Sequence, residues 1–151
     1  MRKGAPMSQP DNLSTGERAA CAVCADWLST GALWSHAALL AMLAVLLAVA
    51  TGTRSISRPG VLIPLLGLGA IERYLALRVA LDARLFGRLA QGHLPGLPAL
   101  DMALQQVLSV PMAKAGRGLP RRIAGARCLY GAQVTATLLL AALNIVAWWR
   151  C

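Results

Sequence analysis

Residues 37–50 read AALLAMLAVLLAVA, fourteen residues without a single polar side chain. This run lies inside a stretch of 27 residues, between Asp26 and Arg54, that carries no formal charge. A helix needs about 20 apolar residues to cross the roughly 30 Å of hydrocarbon in a bilayer. The stretch therefore predicts a transmembrane helix over residues 27–51.

The composition of the whole chain is that of a membrane protein. Of its 151 residues, 57% are hydrophobic, and the mean hydropathy is +0.57. Soluble domains average about 45–50% apolar residues, so much of this apolar surface needs lipid around it. We expect one all-α transmembrane domain over residues 14–151, preceded by a polar, disordered tail at residues 1–13.

Two further apolar segments complete a predicted bundle of three transmembrane helices. Residues 128–149 carry no charge and end in Trp148 and Trp149, which suit a membrane interface. Residues 60–81 are apolar over their first half and charged over their second. We interpret this middle segment as a span that continues as a helix into the cytoplasm to about Ala90.

The middle span has to carry charge. It contains Glu72, Arg73 and Arg78, and each central charge costs about 2.5–3.5 kcal/mol, while each Leu, Ile or Val returns about 0.3–0.6 kcal/mol. The total cost of the charges and the total gain from the apolar residues nearly balance. A re-entrant hairpin broken at Pro64 and Gly67, or an interfacial helix, are therefore alternatives.

Local patterns predict the ends of the helices outside the spans. Ser14 and Glu17 have the spacing of a capping box, which predicts a helix start near Thr15. Farther along, Arg78 and Asp82 stand four residues apart and are expected to form an ion pair. A short helix is expected over residues 101–110, inside a basic loop at 91–127.

The distribution of positive charge predicts the orientation. With three spans, the N-terminus and residues 82–127 share ten Lys and Arg residues, against three on the other side, so we expect the N-terminus in the cytoplasm and the C-terminus in the periplasm. The excess of Arg over Lys suggests a G+C-rich genome and a bacterial inner membrane. The loop's own basic residues are Lys114, Arg117, Arg121, Arg122 and Arg127.

These loop residues have two interpretations. They orient the protein, or they also bind anionic lipid head groups or a nucleic-acid phosphate. Because aromatic side chains that stack on bases are scarce outside the apolar runs, we expect no nucleic-acid partner.

The cysteines do not predict a metal or a cofactor. Cys21 and Cys24 form a C-x-x-C pair, which lacks the second pair of ligands that a structural zinc site needs. On the reducing cytoplasmic side we expect free thiols that react readily with a thiol reagent. Cys151 is expected outside.

Polar residues within the spans mark the candidate site. Gln133, Thr137 and Asn144 share one face of the last helix, which is expected to face inward because lipid leaves polar groups unsatisfied. Glu72 has no acceptable partner on its own helix, since Arg73 points about 100° away. We predict that Glu72 contacts His36, with Gln133 or Thr137 completing their hydrogen bonds. The predicted cluster is His36, Glu72, Arg73, Gln133, Thr137 and Asn144.

No sequence motif of a metalloprotease, a phosphate loop or a hydrolase occurs, so an enzyme is not expected. We expect a non-catalytic accessory or assembly subunit that binds a membrane protein partner or a second copy of itself. One alternative is a proton- or ion-conducting element that uses His36 and Glu72. A holin-like pore former is the other.

Overall fold

The computed structural model describes residues 13–52, 59–94, 96–108 and 118–149, and the predicted disordered tail lies almost entirely outside them. The described residues are helical, with no strand among them, as the all-α prediction requires. They form α1 (Thr15–Ser29), α2 (Gly31–Ala50), α3 (Pro59–Ala90), α4 (Leu97–Leu108) and α5 (Leu119–Trp149).

The first two helices follow one continuous path. The capping box is present: the Glu17 backbone N–H donates to Ser14 Oγ at 3.2 Å, and the Ser14 N–H donates to Glu17 Oε2 at 2.8 Å. The predicted start at Thr15 is confirmed. Thr30, between α1 and α2, keeps right-handed helical angles (φ −63°, ψ −17°), so the chain does not reverse there.

Helix α3 runs unbroken for 32 residues. It passes through Pro64 and Gly67, so the alternative of a hairpin broken at these residues is wrong. Pro64 deprives the Gly60 carbonyl of its usual i+4 donor, and an interior proline costs about 3 kcal/mol. The helix nevertheless packs along its length against α1, α2 and α5. The predicted continuation to Ala90 is confirmed.

The other two helices begin earlier than predicted. Helix α4 starts at Leu97 rather than residue 101. Pro98 falls in its first turn, where backbone N–H groups form no hydrogen bond within the helix, so the missing N–H of proline costs nothing there. Helix α5 starts at Leu119, and its first turns hold three of the basic residues assigned to a loop. The paths 15–50, 60–90 and 119–149 are each long and apolar enough to cross a membrane.

Two apolar clusters hold the bundle together, one in each half. We define the charged half as α1, α4, residues 79–90 of α3 and residues 119–130 of α5. Its cluster includes Cys21, Leu28, Phe86, Leu89, Leu100 and Ala126. The apolar half is α2 with residues 60–78 and 131–149. Its cluster is built around Ala38, Val45, Leu65, Leu140 and Ala147.

In the apolar half, the distribution of polar and apolar side chains is the reverse of that in a soluble domain. Leu33, Leu40 and Ile63 are each about 70% exposed (71%, 68% and 69%), whereas Glu72 and Gln133 are buried. Each of the three long paths contributes about 20 residues to this half, close to the length that crosses a bilayer. An apolar exterior of this height is compatible with an integral membrane protein.

Candidate functional site

An ion pair with a buried carboxylate lies between the two apolar clusters. Glu72 on α3 is 1% exposed, and its Oε2 accepts a hydrogen bond from Arg73 Nε at 2.9 Å. The Arg73 Nη2 group donates to the hydroxyl of Ser35 on α2 at 2.7 Å and also to the Ser35 carbonyl. The charge of the carboxylate is therefore compensated by its neighbour in the chain.

Our expectation that Glu72 cannot pair with Arg73 was wrong. Successive residues on a helix do point about 100° apart, but the arginine side chain is long enough to turn back across that angle. The backbone carbonyl and hydroxyl of Ser35 hold the guanidinium in this position. The contact with α2 is what makes the adjacent pair possible.

Gln133 on α5 joins the three helices at this level. Its Nε2 donates to the Gly31 carbonyl on α2 at 2.9 Å and to Glu72 Oε1 at 3.4 Å. The predicted contact between Gln133 and Glu72 is therefore present. Gly31 permits the close approach, because a Cβ atom there would lie 3.0 Å from Gln133 Oε1 and 3.1 Å from a methyl group of Val79. We call Gly31, Ser35, Glu72, Arg73 and Gln133 the polar layer.

The remaining two polar residues of α5 face inward but do not reach Glu72. Thr137 and Asn144 are 4% and 8% exposed, which confirms the predicted orientation of this helix face. Their side chains donate to carbonyls one turn earlier in the same helix, of Gln133 at 3.1 Å and of Leu140 at 2.9 Å. Both donors are satisfied within α5, the buried Asn144 Oδ1 has no partner among the described residues, and neither side chain bonds to Glu72.

His36 is not the partner of Glu72. The hydrogen bonds of the carboxylate within the described residues come from Arg73 and Gln133, and His36 is exposed. The reason is the position of each residue around the α2 axis. Gly31 and Ser35 are four residues apart and share the face that meets the polar layer. His36 is rotated about 100° away from Ser35 and points to another side. It lines a groove on the other side of Arg73.

An aromatic group lies one turn from the polar layer, at the boundary of the two halves. The rings of Trp27 and Tyr130 have centroids 4.3 Å apart. The Tyr130 hydroxyl lies 2.8 Å from the Thr30 hydroxyl and accepts from Trp34 Nε1 at 3.1 Å. The sequence did not predict these contacts, although aromatic residues at the ends of apolar runs are a known signal of a membrane interface.

The basic residues assigned to a loop divide between the helix and the undescribed part of the chain. Arg121, Arg122 and Arg127 lie on α5, and Lys114 and Arg117 lie outside the described residues. Arg122 forms an ion pair with Asp101 of α4 and so ties this short helix to the bundle.

The ion pair predicted between Arg78 and Asp82 is not among those formed by the described residues. Asp82 lies in the charged half, partly buried near Arg122. Desolvation raises the pKa of its carboxyl group, while the charges of Arg78 and Arg122 oppose this rise.

The C-x-x-C cysteines are free thiols, but they are not accessible. Cys21 is 0% and Cys24 6% exposed, because both side chains belong to the apolar cluster of the charged half. Burial raises the pKa of both thiols, and the thiolate is the reactive form. This burial argues against the expectation that they react readily. Within the described residues, no three His, Cys, Asp or Glu side chains come together as metal ligands would.

Open grooves run along the surface formed by the described helices. The first, with a volume of about 490 Å³, lies between α1–α2 and α3; we call it the Arg84 groove, and its lining includes Ser29, Ser35, His36, Arg73, Ala80 and Arg84. The second lies between α1 and α5 and has a volume of about 450 Å³. We call it the Trp27 groove, lined by Ala20, Val23, Trp27, Ile123 and Arg127.

Comparison of the chain with protein-family models, with curated proteins and with solved structures gave no match. The geometry of the described residues is therefore the basis for assigning a function. The polar layer links three helices, and both oxygens of its Glu72 carboxylate accept hydrogen bonds. The grooves offer surface for other molecules.

Proposed function

We propose that this protein is a non-catalytic membrane subunit that binds a partner membrane protein through its charged half. In this proposal the apolar half lies in a bacterial inner membrane, with the N-terminus and the charged half in the cytoplasm and the C-terminus in the periplasm. The charge bias of the sequence supports this orientation, and the apolar exterior of the bundle supports the placement in lipid.

The Trp27 groove is the observation that carries the proposal. Val23 is 70% and Trp27 41% exposed, although both lie on the half of the bundle that carries most of the charge. The groove continues along α1 into a second depression of about 430 Å³, which shares Ala20, Ile123 and Arg127 with it. In the proposed placement this surface extends from the membrane interface at Trp27 into the cytoplasm, and an apolar surface outside lipid is typical of a protein-binding site.

The charge around the groove indicates the kind of partner. Arg127 lines both depressions, and Arg121 is exposed six residues earlier on α5. Glu17 is the acidic residue in the lining, and its carboxylate is occupied by the hydrogen bonds of the capping box. An amphipathic helix with apolar residues on one face and a carboxylate beside them fits this surface.

The experiment compares two matched substitutions of exposed apolar residues. Val23→Glu places a charge in the groove, while Met102→Glu places one on α4, where Met102 is 61% exposed and lies outside both grooves. Each tagged variant is expressed at its native level, solubilised in mild detergent and purified with its bound proteins.

Wild type and Met102→Glu should retain the same membrane protein in a fixed ratio, and Val23→Glu should lose it. A photo-crosslinking residue in place of Val23 should join this protein to the same partner. Loss of the partner from both variants, or from neither, would contradict the assignment of the groove.

The proton-conducting alternative has less support. It needs His36 and Glu72 in one relay, yet both oxygens of Glu72 accept hydrogen bonds from other residues. It makes a distinct prediction, because Glu72→Gln would then abolish proton flux in liposomes while leaving the protein folded. No observation on the described residues favours the holin-like alternative.

A further inference from the structure

The Arg84 groove has the shape of a site for one flexible chain. It runs along α3 from Arg84 in the charged half to Arg73 in the apolar half, eleven residues and therefore about 16 Å. Its middle section has small side chains, which leave the space open: Gly31, Ala32, Ala76, Ala80 and Ala83.

The volume of this groove, about 490 Å³, is suited to one flexible chain. At about 30 Å³ for each water-sized group, the groove accommodates about 16 non-hydrogen atoms, which is the size of one acyl chain. Ligand sites in proteins commonly have volumes in this range.

The charge along the groove is asymmetric. Arg84 is exposed and forms no ion pair with any described residue, and none of the described residues that line the groove is acidic. At the other end, the charge of Arg73 is neutralised by Glu72, and one of its nitrogen atoms is held by Ser35. The uncompensated positive charge therefore lies at the end next to the charged half.

We propose that the Arg84 groove binds one anionic phospholipid, with the lipid phosphate at Arg84 and an acyl chain along Ala83, Ala80 and Ala76. The proposal rests on the membrane placement given above. Arginine side chains on helices lean toward the helix N-terminus, so the guanidinium of Arg84 is directed toward the boundary of the two halves. That level is where lipid head groups meet the bundle. The lipid would cover the open side of α3 and shield the stem of Arg73.

The test measures lipid retention by the purified full-length protein with native mass spectrometry. The protein is equilibrated in detergent with phosphatidylglycerol or with phosphatidylcholine of the same acyl chains. We expect one phosphatidylglycerol per protein and little phosphatidylcholine. Arg84→Gln should weaken retention about fivefold, the effect expected for one basic residue near an anionic surface. Arg88→Gln, which removes an exposed arginine one turn later and outside the groove, should not change it.

A second pair of variants tests the path of the acyl chain without changing charge. Ala80→Leu fills the groove and should reduce retention, whereas Ala70→Leu, at an exposed position on α3 outside the groove, should leave it unchanged. Equal effects within either matched pair would overturn the proposal, as would equal retention of the two lipids.

A third experiment adds inorganic phosphate as a competitor. If millimolar phosphate alone displaces the lipid, the site binds a soluble anion and the lipid assignment is wrong. Whether the protein enters the membrane at all is measured separately, from its presence in carbonate-washed membranes. A failure of the membrane placement is thereby distinguished from a failure of this site.

Discussion

Removing Arg73 should destabilise the protein far more than removing the charge of Glu72. The two partners differ in their surroundings, since the Arg73 side chain is 37% exposed on the Arg84 groove and the Glu72 side chain 1% exposed. Arg73→Met leaves a buried carboxylate with one amide donor. Glu72→Gln leaves an arginine that is partly exposed on the groove and keeps its bonds to Ser35.

The expected magnitudes follow from this asymmetry. Breaking a buried pair so that one charge stays uncompensated costs about 3–5 kcal/mol, which we expect for Arg73→Met. Glu72→Gln keeps an acceptor for Gln133 and loses one charge-assisted hydrogen bond, at a cost of about 1–2 kcal/mol. The double variant no longer buries a charge, so it should be at least about 1 kcal/mol more stable than Arg73→Met alone.

The assay is reversible unfolding in mixed detergent micelles with increasing SDS, followed by circular dichroism. Arg88→Met serves as the control, because Arg88 is exposed on the same helix and forms no ion pair with a described residue. Its cost should stay within about 0.5 kcal/mol. A cost for Arg73→Met no larger than that for Glu72→Gln would refute the reasoning, since the carboxylate would then not depend on the guanidinium.

Three further predictions follow from burial, from close contacts and from charge. Cys21 and Cys24 should react with a maleimide about tenfold or more slowly than the exposed Cys128 at neutral pH, and equally fast in denaturing SDS; peptide mass spectrometry measures each rate. Gly67→Ala, with open space around its new Cβ, should raise the free energy of unfolding by about 1 kcal/mol, whereas Gly31→Ala should lower it, because its Cβ meets the buried amide of the polar layer. Reporter fusions should place the N-terminus and the connection between α3 and α5 in the cytoplasm and the C-terminus outside; a cytoplasmic C-terminus would contradict an odd number of spans.

Much of the fold was predictable because the signals are local or depend only on composition. The run at 37–50 is too apolar for water, and the capping box at Ser14 and Glu17 acts over three residues, so neither needs knowledge of the rest of the chain. The inward face of α5 follows from the spacing of Gln133, Thr137 and Asn144. These features are periodic along one helix, and periodicity is visible in sequence.

The contacts of the polar layer were only partly predictable. The sequence correctly indicated that Glu72 needs a partner at its depth and that Gln133 reaches the same level. It did not indicate that Arg73 turns back onto Glu72, because the carbonyl and hydroxyl of Ser35 that hold the guanidinium belong to another helix. The rotation of α2 likewise decides that Ser35, and not His36, faces the layer.

By itself, the sequence determined the number of long apolar helices, their approximate ends and the polar positions that have to be satisfied away from lipid. Tertiary structure alone decided which polar groups satisfy one another, that Cys21 and Cys24 are buried, and where the two grooves run. The physical reason is that hydropathy and capping act within one segment, whereas the rotation and separation of packed helices depend on all three at once. A close approach such as Gly31 against Gln133 exists only after those helices have come together.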